Sequence, residues 1–112
     1  MHNFIKVCGL IVVLTCAFAP RVRADDLVVE LRFENRRFFP QTITVPAHQP
    51  FRIKVLNASK EAIEFESFKL NREKVVGPGE TTTIFIPALK PGRYDFYDDF
   101  HHDVPEGAIV VK

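Results

Sequence analysis

The sequence predicts an all-β fold, a Greek-key β-sandwich of about seven to eight strands. Three observations carry this. Apolar residues recur at every second position in short runs, the period of a half-buried strand. No window of eleven or more residues shows a helical period. Proline, glycine and asparagine punctuate the chain at intervals of about 8–12 residues, as turns do between the strands of a sandwich.

Taken in order, residues 27–34 alternate with Val29, Leu31 and Phe33 on one face. Asn35-Arg36-Arg37 breaks that run. Phe39-Pro40 opens the next, in which Ile43 and Val45 share a face, and Pro46-Ala47-His48-Gln49-Pro50 is a turn. Phe51, Ile53 and Val55 then point one way, with Arg52 and Lys54 opposite. After the break at residues 57–60, residues 62–68 place Ile63 and Phe65 on one face and Glu64 and Glu66 on the other. Pro78-Gly79-Glu80 is a strong turn signal. Thr82, Ile84 and Ile86 follow as a strand, Pro91-Gly92 turns into residues 93–97, and residues 107–112 close the chain with Ile109 and Val111. Asn57-Ala58-Ser59 also matches a glycosylation acceptor.

The beginning of the chain reads differently. A lysine at position 6 precedes the apolar run VCGLIVVLTCAF, and APRVRA follows, ending at Ala24. This is the pattern of a secretory signal peptide over residues 1–24, too short to span a bilayer, which takes about 20 apolar residues. Residues 25–112 then form one exported domain. Both cysteines, Cys8 and Cys16, and the single methionine, Met1, leave with the signal. The remaining domain has no thiol, no thioether and no tryptophan, so no disulfide staples it. Lys6, Arg21 and Arg23 also leave, so that 12 basic residues face 14 acidic ones. No basic patch points to nucleic acid. The core relies on aromatics, since nine of the eleven phenylalanines stay.

The segment FFPQTITVPAHQPFRIKVLN resembles the opening of a cupredoxin, and VVGPGETTTIFIPALKPGRYDFY resembles the stretch that leads into a cupredoxin copper loop. EFESFKLNREKVVGPGE followed by DFYDDFHH is most similar to the small periplasmic cupredoxin-like subunit of bacterial ferrous-iron uptake systems with an oxidase-dependent permease. It is similar as well to the cupredoxin-like domain of the larger elemental-ferrous-uptake protein. The resemblance implies a periplasmic protein that binds Fe(II), assists its oxidation and hands iron to a membrane iron permease and other uptake components. Two alternatives stand beside it: a Cu(II)-binding or copper-handling protein, and a metal-free interaction module. No catalytic triad or cysteine nucleophile is present, so the only enzyme role the residues support is oxidation of a bound metal.

A blue-copper loop has the form Cys-x-x-His-x-x-x-x-Met. Laid on this chain, the pattern keeps His101, puts Asp98 in the cysteine place and Glu106 in the methionine place, and leaves Glu64 or Glu66 for the first histidine. The expected metal ligands are therefore Glu64, Glu66, Asp98, His101 and Glu106, with Asp99, His102 and Asp103 as weaker candidates. Glu73, between Arg72 and Lys74, reads as ion-paired and stays an outer candidate. A thiolate-free set excludes a blue-copper centre. Carboxylate and imidazole suit an iron ion, a Cu(II) ion or both. A homodimer that shares carboxylates is left open.

Overall fold

The computed structural model describes residues 27–112; the signal peptide expected over residues 1–24 lies outside them. Nine strands build two packed sheets: β1 (Val28–Glu34), β2 (Arg37–Phe39), β3 (Thr42–Val45), β4 (Phe51–Asn57), β5 (Ile63–Ser67), β6 (Arg72–Val76), β7 (Thr81–Ile86), β8 (Gly92–Asp98) and β9 (Gly107–Val111). The first sheet has the order β2-β1-β4-β7 and the second β3-β9-β8-β5-β6. The chain crosses between the sheets after β2, β3, β4, β6 and β7, and two pairs are parallel, β1 with β4 and β3 with β9. The rest are antiparallel.

Two strands go beyond the sequence reading. Asn35 and Arg36 both take left-handed backbone angles, φ 50° and 57°, as the two-residue turn of a tight hairpin requires. Arg37 therefore belongs to β2, which pairs with β1. β6 buries only Val76 among its five residues, so it carries almost no apolar period. The expected Pro78-Gly79 turn is present as a four-residue reversal. Glu80 N–H donates to the Gly77 carbonyl at 3.1 Å, and Gly79 sits at φ 72°, where a β-carbon would be strained.

Inward residues of both sheets form one core. A row of phenylalanines crosses it: Phe33 to Phe38 at 5.1 Å between ring centroids, Phe38 to Phe96 at 5.1 Å and Phe96 to Phe65 at 5.2 Å. The row links β1 and β2 of one sheet to β8 and β5 of the other. Each ring brings about 1.5–3 kcal/mol of burial, and each edge contact adds about 0.5–1.5 kcal/mol. Gly107 makes room for it. A β-carbon there would stand 2.3 Å from Phe96 Cζ and 2.9 Å from the Gln41 carbonyl oxygen. The backs of Phe65 and Phe96 thus form a fixed floor under the outer surface of β5 and β8.

Asn57, at the end of β4, is fully buried. Its amide nitrogen donates to the carbonyls of Glu61, Val76 and Gly77, and its oxygen accepts from the Ser59 amide and hydroxyl. It ties the loop before β5 to the end of β6. With the nitrogen committed to three acceptors, the glycosylation match at this position has no available acceptor.

Candidate metal centre

Strand parity decides where each candidate ligand goes. On β5, Ile63, Phe65 and Ser67 face the core, so Glu64 and Glu66 face outward. β5 and β6 form a hairpin whose register sets Glu66 opposite Glu73 and Glu64 opposite Val75. β5 and β8 pair Glu66 with Tyr97 and Phe65 with Asp98. Residues opposite one another share a face. Tyr97, and by alternation Asp99, therefore join Glu64, Glu66 and Glu73 on the outer face, while Asp98 shares the inward face of Phe65.

The outward group is compact. Glu64, Glu66 and Asp99 each offer a carboxylate oxygen, and the three oxygens lie within 4.8 Å of one another. A small side-chain movement closes that spread onto a cation whose oxygen bonds are about 2.0–2.2 Å long. Glu64 is 7% exposed, and its Oε1 is buried with no hydrogen-bond partner. An unsatisfied buried carboxylate oxygen is costly, and a cation would satisfy it. Arg93, on the outer face of β8, is engaged with Asp95 at 2.8 Å.

The electrostatics follow from this crowding. The Glu64 carboxyl is pushed up from 4.5 to about 7, first by the neighbouring Glu73 carboxyl, then by burial and by the charges of Glu73, Asp99 and Glu66. Glu66 is raised by burial, then by the charges of Asp99 and Glu73, with the Tyr97 hydroxyl bond acting against them. Tyr97 is raised by burial and then by the charges of Glu66 and Asp99. Each shift records negative charge with too little positive charge near it. His102, exposed, reaches Asp99 with Nε2 at 3.0 Å and sets its ring 6.1 Å from that of Tyr97.

The inward group is separate. Asp98, 1% exposed, accepts the Glu64 amide at 2.9 Å, the Phe100 amide at 3.0 Å and His101 Nδ1 at 2.5 Å. The other ring nitrogen, Nε2, meets Glu61 Oε2 at 2.8 Å. His101 is raised above its ordinary value, chiefly by Asp98, with Glu61 adding and burial opposing. Both ring nitrogens thus face carboxylate oxygens, which favours the charged ring. Two ligands of one metal, each about 2.0–2.2 Å from it, do not fit into the gap between Asp98 Oδ2 and Nδ1.

Of the expected ligands, then, the structure brings Glu64 and Glu66 together with Asp99. It places Asp98 and His101 together on the other side of the sheet. Glu106 is exposed, its carbonyl accepts from Gln41 Nε2 at 2.9 Å, and its charge is the smallest named cause of the Tyr97 shift. Asp103 is paired with Arg36 at 2.6 Å, which holds its carboxyl below the usual range. Glu73 and Tyr97 enter the outward group. Arg72, expected to pair with Glu73, instead spends its guanidinium on the carbonyls of Leu70, Asn71 and Phe85.

Residues 7–111 match the cupredoxin-like domain family. The chain belongs to that family. The uncharacterized protein RP394 of Rickettsia prowazekii (strain Madrid E) is 39% identical over 86 residues, 77% of this chain and 69% of that protein. The metal-binding domain of the Cu(I)-exporting P-type ATPase CopA of Streptococcus pneumoniae D39 superposes with a TM-score of 0.68 at 17% identity, over 76% of this chain and 84% of that one. Auracyanin A, a blue copper protein of Chloroflexus aurantiacus, gives 0.65 at 16% identity, over 77% and 98%. Amicyanin of Paracoccus versutus gives 0.60 at 18%, over 81% and 90%. At these identities the likeness is one of fold. A copper–thiolate centre does not fit the described residues of this cupredoxin-like chain. Its described residues hold no cysteine or methionine, and Asp98 and both nitrogens of His101 are already engaged.

Proposed function

We propose that this chain is a periplasmic metal-binding protein of a ferrous-iron uptake system, taking Fe(II) as cargo on the outer face of its five-stranded sheet. The observation that supports this most is the group Glu64, Glu66 and Asp99, with the unpartnered, buried Glu64 Oε1 among them. Hard oxygen donors suit Fe(II), Fe(III) and Mn(II) and offer nothing to Cu(I), which selects sulfur. Several carboxylates stabilise the trivalent ion more than the divalent one, because the Coulomb gain grows with charge. Binding here therefore favours the ferric over the ferrous state of the ion. Delivery to a membrane permease rests on the resemblance of EFESFKLNREKVVGPGE and DFYDDFHH to the small subunits of such systems.

The test is an anaerobic titration of residues 25–112 with Fe(II), Mn(II), Zn(II) and Cu(II), with Glu64→Gln and Asp99→Asn alongside. Fe(II) and Mn(II) binding that both variants weaken supports the reading. Binding of Cu(II) alone would show a copper-handling protein instead, and binding of no metal an interaction module.

A further inference from the structure

The outer face of the first sheet, on the far side of the sandwich from the carboxylate group, carries the opposite sign of charge. Strand register sets its side chains in rows across the sheet. Phe39, Arg32, Leu56 and Thr81 form one row, Glu30, Lys54 and Thr83 the next, and Val28, Arg52 and Phe85 a third. Arg37 stands opposite Glu34 at the corner. Four cations thus share the face with two carboxylates, and one of these, Glu34, is paired with Arg32 at 2.9 Å. Arg37 and Lys54 have no hydrogen-bond or ion-pair partner among the described residues. Among the cations, Phe39, Phe85 and Val28 each stand about half exposed. A groove of about 490 Å³ opens on this face, with Phe39, Pro40 and Leu56 in its lining and two cations, Arg32 and Lys54, against one carboxylate, Glu30.

We propose that this face docks on an anionic phospholipid surface, its cations on the headgroup phosphates and Phe39, Phe85 and Val28 in the interfacial layer. Charge complementarity carries the choice of partner. At an anionic bilayer the attraction of the cations and the burial of the apolar groups add. The apolar groups are also spread over β1, β2 and β7, not gathered into one desolvated pocket as the anchors of a protein interface are. A fluid surface accepts anchors spread in that way. The opposite face sets the orientation. Glu64, Glu66, Glu73, Asp95 and Asp99 outnumber Arg93 there, so an anionic surface attracts one side of the sandwich and repels the other. Docked like this, the carboxylate group is turned to solvent. The inference does not depend on that group binding a metal.

Residues 27–112 hold both sheets and the whole core, so residues 25–112 serve as the folded unit, without the apolar run at residues 7–18. Vesicles of equal parts phosphatidylglycerol and phosphatidylcholine should sediment with this protein at low salt, and vesicles of phosphatidylcholine alone should not. Salt at about 1 M, where the Debye length is about 3 Å, should release most of it. Lys54→Ala should weaken binding about fivefold, the contribution of one cation at an anionic surface. Arg37→Glu combined with Lys54→Glu should abolish it. Lys74→Ala removes the same charge from β6 of the other sheet and should weaken binding less than about twofold. An unchanged melting temperature shows that each variant is folded. Residues 25–112 contain no cysteine, so Thr83→Cys, on the basic face, and Thr44→Cys, on the outer face of β3, can each carry one environment-sensitive dye. The dye should shift to the blue on anionic vesicles at position 83 and stay unchanged at position 44. Equal binding to both kinds of vesicle, a shift at position 44 without one at 83, or full binding by the charge-reversed pair overturns the proposal. Binding to soluble polyglutamate with none to the anionic vesicles marks a protein-docking face and overturns it as well.

Discussion

The raised carboxyl of Glu64 makes metal affinity depend on pH in a way an ordinary carboxylate would not. Glu64 loses its proton at about 7, and a carboxylate ligates only when ionised. Between pH 7.5 and pH 5.5 its ionised fraction falls about 25-fold, whereas a carboxyl at the usual value would lose only about a tenth. Apparent Mn(II) affinity should fall by that about 25-fold factor over the same interval, with Glu66 adding to it. The Glu73 carboxyl is the largest cause of the shift, so the step depends on that neighbour. Two variants separate the causes. Glu64→Gln lowers affinity at pH 7.5 and flattens the profile. Glu73→Gln removes the largest cause of the shift, so the fall moves to lower pH. Calorimetric titration with Mn(II) at four pH values reads both. A flat wild-type profile, or the same slope in Glu64→Gln, would refute the reasoning.

The same shift acts on the metal-free fold. The folded carboxyl of Glu64 lies above its unfolded value, so the folded state binds more protons between 4.5 and about 7, and stability falls as pH rises through that window. Metal-free Glu64→Gln should therefore melt above the wild type at pH 8, with the difference vanishing near pH 4, and Mn(II) should reverse the order. His101 changes stability with pH in the same direction but for a different cause, since its raised value comes from partners that favour the charged ring. Its contribution is complete below the unfolded value and is lost as pH rises through the folded one. His101→Gln should thus lower the melting temperature more at pH 5.5 than at pH 9; equal losses would count against the imidazolium tie. Gly107→Ala drives a methyl into Phe96 and should cost about 1–3 kcal/mol in urea unfolding, as overpacking does. Asn57→Ala leaves the carbonyls of Glu61, Val76 and Gly77 without their donor and should cost about 1–3 kcal/mol by the same measurement.

The fold was legible because burial writes a period of two into the strands of the core. Val29, Leu31 and Phe33, or Phe51, Ile53 and Val55, cannot be read as anything else. β2 and β6 were not legible, since one buried residue apiece leaves no period. The site was legible in part for a related reason. Glu64 and Glu66 could be placed on one face, but aligning Asp98 with a copper-loop cysteine did not say which side of the sheet it faces. The alternation Phe96 inward, Tyr97 outward, Asp98 inward, Asp99 outward carries that information, and it puts the carboxylate of Asp99, not that of Asp98, on the face of Glu64 and Glu66. Glu73 had a signal too. A hairpin centred between Lys69 and Leu70 pairs Glu66 with Glu73, whereas its cationic sequence neighbours suggested an ion pair. Glu61 had none beyond following Asn57, because its place against His101 is set by a loop held through Asn57.

The most direct test of the outer-face carboxylate site is anomalous scattering from crystals of residues 25–112 grown with Mn(II). The account predicts one strong anomalous peak on the outer face of β5 and β8, within bonding distance of Glu64, Glu66 and Asp99. A peak at His101 between Asp98 and Glu61, or no protein-bound peak at all, would contradict it.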